Sequence, residues 1–144
     1  MKRFLFLTLF LLMAAPVSAE MISVLHQPAE LRAQPLVARS KVIAELPRYT
    51  PLEVLATAAE YYKVRDHRGQ VGYVHRSLTG ATGSLVITAG ACNIRSGPGT
   101  SHSIAYKAVQ GDSFRALSRQ GEWLEIVNEQ GTPGWVWQNL TWGY

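Results

Sequence analysis

The sequence predicts an all-β chain built from two small barrels in tandem, and three observations carry that expectation. No segment after residue 19 shows a convincing helical stripe. Short runs of β-formers (Leu85-Val86-Ile87, Leu124-Glu125-Ile126, Trp135-Val136-Trp137) stand between turn signals every 8–12 residues, the spacing of small all-β domains. The two halves of the chain also match each other at a shift of 62 residues, and self-similarity at one period marks a repeated unit.

From the N-terminus, Met1-Lys2-Arg3 gives a positive start and Phe4 to Ala15 is apolar apart from Thr8. Pro16-Val17-Ser18-Ala19 then offers small residues where a signal peptidase cuts. The pattern predicts a signal peptide over 1–19, cleaved after Ala19, and a periplasmic or secreted mature chain. Its apolar run is too short against the roughly 20 residues needed to span a bilayer, so no transmembrane anchor is expected in the mature chain. Glu20 stands where a lipoprotein signal would carry cysteine.

Removal of the leader leaves 125 residues, room for one medium domain or two small ones. Lys2 and Arg3 leave with it, so 12 basic residues face 10 acidic ones and a charge of +4 becomes +2. That balance does not describe a nucleic-acid binder, which carries a clustered basic surface. A single cysteine excludes an internal disulfide framework and any multi-thiolate metal site.

The duplication orders the rest of the chain. At the shift of 62, Leu55 falls on Leu117, Glu60 on Glu122, Gly69 on Gly131, Gly72 on Gly134, Val74 on Val136 and Leu78 on Leu140. Similar pairs fill the gaps, among them Tyr61 with Trp123 and Tyr73 with Trp135. Upstream the shift becomes 63, matching Leu31, Arg32 and Pro35 with Ile94, Arg95 and Pro98. Gly80-Ala81-Thr82-Gly83 is the predicted boundary, small and flexible between strand-like runs. Four residues reach only about 13 Å, so the two units are expected to touch.

Within the second unit, Arg95-Ser96-Gly97-Pro98-Gly99-Thr100 reads as a loop. Pro98 fixes φ, and Gly99 is expected to take the positive φ of a type II turn. Gly111-Asp112 marks a second turn, and Glu129-Gln130-Gly131 closes a hairpin between strands over 122–127 and 134–137. One parity of these strands is aliphatic (Leu124, Ile126, Val136) and the other carries rings (Trp123, Trp135, Trp137). The aliphatic set is expected to fill a barrel, with the rings on its outer surface or rim.

The ordered set Asn93-Ile94-Arg95-Ser96-Gly97-Pro98-Gly99, Gly111-Asp112, Gly121-Glu122-Trp123 and Gly134-Trp135-Val136 resembles the bacterial SH3-like (SH3b) domain. The resemblance covers about residues 84–142. The first unit is similar but eroded: it keeps Leu31-Arg32, Pro35, Tyr61 to Val64 and Gly72 to His75. It lacks both loop glycines and has Tyr49-Thr50 in place of Gly-Asp. The resemblance implies two SH3-like, partly open β-barrels of five to seven strands, over 20–80 and 84–144. It also implies a non-catalytic role, usually extracytoplasmic and often on cell-wall peptides or peptidoglycan.

All four tryptophans lie in the second unit. Small barrels recruit rings to cover a thin core, yet Trp123, Trp135 and Trp137 cannot all be buried on an outer face, so an exposed apolar strip is expected. In eukaryotic SH3 domains, which this fold resembles, the positions of Trp123 and Trp137 line the groove for extended peptides. Tyr61 and His75 are their counterparts in the first unit. The candidate ligand-binding set is therefore Trp123, Trp137, Trp135, Tyr61 and His75.

Other chemistry is weaker. Cys92 shares the core-facing parity of Ile94 and reads as a small buried hydrophobe. A Cys-His nucleophile would need an activated thiolate and a nearby histidine, and His26, His67, His75 and His102 form no local signature. His67 and His75, with Asp66, fall short of a metal-ligand set, and no cofactor is expected. Residues 21–80 hold eight basic against five acidic residues, with Arg65, Arg68 and Arg76 around one hairpin; this is a solvated face or an attraction to an anionic polymer.

The expected function is an exported, non-enzymatic module that recognises extended peptides or peptidoglycan fragments through shallow aromatic grooves. The alternative is a periplasmic adaptor or inhibitor that binds a folded envelope protein. A small wall hydrolase acting through Cys92 ranks last.

Overall fold

The computed structural model describes residues 19–144. The predicted signal peptide, Ala19 apart, lies outside the described residues. The first repeat comprises β1 (Glu20–Val24), β2 (Glu30–Arg32), β3 (Val42–Glu45), β4 (Pro51–Ala58), β5 (Tyr61–Arg65), β6 (Val71–His75), a 3-10 turn (Arg76–Leu78) and β7 (Thr79–Gly80). The second comprises β8 (Ser84–Ile87), β9 (Ala91–Arg95), β10 (Ile104–Val109), β11 (Ser113–Gln120), β12 (Trp123–Val127), β13 (Pro133–Trp137), a 3-10 turn (Gln138–Leu140) and β14 (Thr141–Gly143).

Both repeats form a seven-stranded antiparallel sheet with the same order, β3-β2-β6-β5-β4-β1-β7 and β10-β9-β13-β12-β11-β8-β14. The two outermost strands of each sheet do not pair with each other, so each barrel stays partly open. From β4 and β11 onward the strands begin 62 residues apart. Even the irregularity is shared: the register shifts between Val54 and Ala56 in β4 and between Ala116 and Ser118 in β11. A bulge there bends an eight-residue strand, so that one half pairs on each side of the barrel.

The alternation of side chains fills two separate cores. Ile22, Val24, Leu31, Leu46, Leu52, Val64 and Val74 form one cluster. Leu85, Ile87, Ile94, Phe114, Leu124, Ile126 and Val136 form the other, with Cys92 at its edge. Full burial of such an aliphatic side chain stabilises by about 1.5–3 kcal/mol. The glycine that opens each Gly-Tyr or Gly-Trp pair has a steric reason. A Cβ on Gly72 would meet the Arg32 carbonyl oxygen at 2.7 Å, and one on Gly134 would press on Ile94 Cγ2. The crossing strand β2 or β9 passes too close for any side chain.

The 95–100 loop departs from expectation. Gly99 does not take a positive φ. Its N–H donates to the Gly97 carbonyl at 2.9 Å, closing a three-residue turn centred on Pro98, and His102 N–H then donates to the Gly99 carbonyl at 3.3 Å. The fixed φ of Pro98 suits a tight turn with an i to i+2 hydrogen bond, so the left-handed residue of a type II turn is not required.

The repeats touch. The Ser23 hydroxyl bonds to the Thr82 carbonyl and the Ser84 hydroxyl. Ser113 Oγ donates to the Arg48 carbonyl at 2.6 Å, and Gly143 packs against Pro51. A 60-residue unit buries only about 60% of its unfolded surface, so these contacts add to the stability of both.

Candidate functional site

Trp123 on β12 and Trp137 on β13 are direct cross-strand partners, which sets both rings on one face of the sheet. They border a groove of about 450 Å³ that also involves Asn93 and Arg95 from β9, Thr100 from the loop and Leu140 from the 3-10 turn. Trp137 is 39% exposed and its Nε1–H donates to Glu122 Oε2 at 3.4 Å. Arg95 Nη1 donates to the His102 carbonyl at 3.0 Å and Ser96 N–H to the Ser103 carbonyl at 2.9 Å. These bonds close the base of the loop that brings Thr100 to the groove. The result is a shallow apolar trough with a guanidinium and an amide on one side.

Trp135 shares the outer face, pairing with Glu125 and Arg95, but does not border the groove. Sequence reasoning did not single out Asn93, Arg95, Thr100 and Leu140 as site residues. The signal for two of them was present, because Asn93 and Arg95 flank core-facing Ile94 and must share the opposite face.

The first repeat arranges its counterparts differently. Tyr61 is only 8% exposed, and the His75 ring stands edge-on to it with centroids 5.1 Å apart. His75 Nδ1 accepts from Ser77 N–H at 3.2 Å, while Nε2 lies 3.4 Å from Glu60 Oε2. The imidazole is thus anchored at Nδ1, with Nε2 facing the exposed Glu60 carboxylate. It borders a hollow with Glu60, Tyr62 and Arg76, which Tyr61 does not line. Arg32 repeats the loop-holding role of Arg95 through the Val37 and Ser40 carbonyls, and it also pairs with Glu30.

Of the remaining candidates, Cys92 borders the tryptophan groove, and the histidines and arginines lie apart from one another. Cys92 is buried, and burial, then Asp112, raises its thiol pKa, the opposite of what a nucleophile needs. His67 sits at the tip of the β5–β6 hairpin and His75 at its base. The expected arginine group is split likewise. Arg65 binds Glu53 through Nε and Nη2 at 3.0 and 3.2 Å. Arg68 stands 3.7 Å from Asp66, and Arg76 lies over the Tyr62 ring.

A family model described as bacterial SH3 domain matches the chain twice, over residues 28–79 and 89–141. The probable cell wall amidase LytH of Staphylococcus epidermidis is 41% identical over 56 residues, 38% of this chain and 19% of that protein. The putative N-acetylmuramoyl-L-alanine amidase YrvJ of Bacillus subtilis is 38% identical over 60 residues, 42% of this chain and 12% of that protein. This chain therefore spans less than a fifth of the length of the curated relatives it matches. A solved NlpC/P60 family protein from Bacillus cereus aligns at 12% identity with a TM-score of 0.39, over 85% of this chain and 56% of that one, a likeness too distant to bear on function.

Proposed function

The chain belongs to the bacterial SH3 domain family through both of its repeats, and from that premise we propose an exported cell-wall binding module whose second repeat carries the ligand groove. One observation supports this above the others. Trp123 and Trp137 are paired in register beside a groove that also presents Asn93 and Arg95. An extended peptide or peptidoglycan fragment laid in the trough stacks on the rings, while Arg95 and Asn93 donate hydrogen bonds to its carbonyls. The groove is shallow, so affinity per module is modest.

The similarity to named cell-wall amidases favours the wall as the setting. It covers only part of each of those proteins, so their activity is not transferred. With the Cys92 thiol buried and its pKa raised, we read the role as binding without catalysis. The leader fits export: β1 begins at Glu20, so cleavage after Ala19 leaves its sheet intact.

Co-sedimentation with purified peptidoglycan tests the reading. The full chain is expected in the pellet and the Trp123→Ala, Trp137→Ala double variant in the supernatant, with both folded by circular dichroism. Equal pelleting of the two refutes the groove. If the full chain stays in the supernatant with protein-free peptidoglycan, the reading passes to a folded envelope protein as partner.

A further inference from the structure

Between the repeats lies a hollow of about 440 Å³ that the tryptophan groove does not use. One side is the tip of the β5–β6 hairpin, with Asp66, His67 and Arg68. The other walls come from Leu46 and Pro47 of the first repeat and from Val86 of the second. Asp66 is the unusual residue. It is only 3% exposed, and its Oδ1 accepts from the backbone N–H of Arg68 at 2.9 Å and of Gln70 at 2.8 Å. Its Oδ2 is buried and accepts no hydrogen bond among the described residues. The nearest cation, Arg68 Nε, stands 3.7 Å away, beyond hydrogen-bond reach, on a side chain 58% exposed. His67 Nδ1 is buried and unpartnered as well.

The hairpin does not need this charge. At the matching position of the second repeat Asn128 holds the same turn, with its Oδ1 accepting from Thr132 N–H at 2.8 Å. A second carboxyl oxygen at this turn is thus a property of the first repeat alone. Burying it without a donor is costly, and in native proteins such a group generally has a partner or a role.

We infer that this inter-repeat hollow is a binding site for a primary ammonium group on an aliphatic stem, of the kind that ends a basic side chain in a peptide. An ammonium group offers three donors; Glu45 is a carboxylate lining the hollow, and the unpartnered Asp66 Oδ2 and His67 Nδ1 lie within its hairpin wall without exposed surface, so the hairpin tip shifts to bring them to the bound group. The charged groups around it are Asp66, Glu45 and Arg68, a balance of one negative. His67 adds no positive charge at neutral pH, because burial lowers its pKa below the ordinary value. Leu46, Pro47 and Val86 give the methylene stem an apolar wall. The inference stands apart from the groove and does not rest on it.

Titration of the isotopically labelled full chain with Nα-acetyl-lysine amide, followed by backbone amide NMR, tests this. Saturable shifts are expected at His67, Val86 and Gly111, with none from the Nα,Nε-diacetyl analogue, which lacks the charge. Asp66→Asn keeps the turn acceptor, as Asn128 shows, and is expected to weaken binding by about tenfold or more, because hydrogen bonds to charged groups are the strong ones. No saturable shift in the wild type, equal response to the diacetyl analogue, or full affinity in Asp66→Asn overturns the site. Shifts confined to Trp123 and Trp137 also overturn it, moving the amine to the other groove. Because the acetylated probe is compared on the unmodified chain, the test survives a variant that fails to fold.

Discussion

The two repeats bury matching positions and expose different ones. Leu31, Leu52, Val64 and Val74 of the first correspond to Ile94, Phe114, Ile126 and Val136 of the second, and none is more than 5% exposed. On the outer face the match ends. Tyr61 lies buried against the His75 ring, whereas Trp123 is half-buried beside an exposed Trp137. The barrel is held by alternating aliphatic residues and a glycine under a crossing strand, so the outward residues are free to diverge. The repeats also differ in backbone strain. Where the second has Gly111 at φ 93° and Gly121 at φ 57°, the first has Tyr49 at φ 64° and Ala59 at φ 53°. The first repeat makes the same left-handed turns with residues less suited to them.

The largest effect is expected at the crossing glycines. Gly72→Ala sets a Cβ against the Arg32 carbonyl oxygen, a backbone atom, while Gly134→Ala presses on Cγ2 of Ile94, a fully buried side chain that has to give way within the core. Gly72→Ala is expected to cost about 3 kcal/mol and Gly134→Ala about 1–2 kcal/mol, within the range for overpacking, as read from urea unfolding. A reversed order would mean that the crossing strands are not held alike in the two barrels.

Next comes an exchange of roles between the rings. Tyr61→Ala is expected to lose about 2 kcal/mol of stability, since it removes a buried ring, and to leave binding to peptidoglycan unchanged. Trp137→Ala is expected to cost less than about 1 kcal/mol in stability, as exposed positions do, and to weaken binding by about tenfold or more. Denaturation curves and co-sedimentation on the same two variants decide this. Loss of binding in Tyr61→Ala would return the first repeat to the ligand surface.

Ala59→Gly should relieve left-handed strain and raise stability by about 0.5–1 kcal/mol. The reciprocal Gly121→Ala should lower stability by about 1 kcal/mol. Calorimetric melting of the pair is the check.

The smallest effect concerns pH. Burial lowers the pKa of His67 in the folded chain, ahead of the opposing pull of Asp66. The unfolded chain therefore binds more protons once pH drops below the ordinary value near 6.5. The stability linked to His67 is complete above that value and is lost as pH falls toward the folded pKa. The second repeat has Glu129 at the matching position, so a His67→Gln variant should flatten the acid slope of the first repeat's unfolding alone, followed by amide exchange.

The fold was legible because its signals are local and doubled. The alternation of Leu124, Ile126 and Val136 appears in the buried pattern of β12 and β13, and the shift of 62 reappears in the strand bounds. The Gly99 turn was misread because a Pro-Gly pair is compatible with more than one turn, and the hydrogen bond to Gly97 selects among them. At the site, parity set Trp123 and Trp137 on one face, but the same parity applied to Tyr61 says nothing of the His75 ring packed against it. Parity assigns a residue to a face, and its neighbours decide whether that face is open. The hollow around Asp66 was illegible for a similar reason, since its walls join residues 46 and 86 from different barrels.

The indole N–H resonances of Trp123 and Trp137 test the asymmetry between the repeats most directly. During titration of the full chain with soluble peptidoglycan fragments, these two resonances are expected to shift together along one saturable curve while the Tyr61 and His75 amides stay in place. Shifts centred on Tyr61 and His75, or none at either indole, would contradict a ligand surface carried by the second repeat.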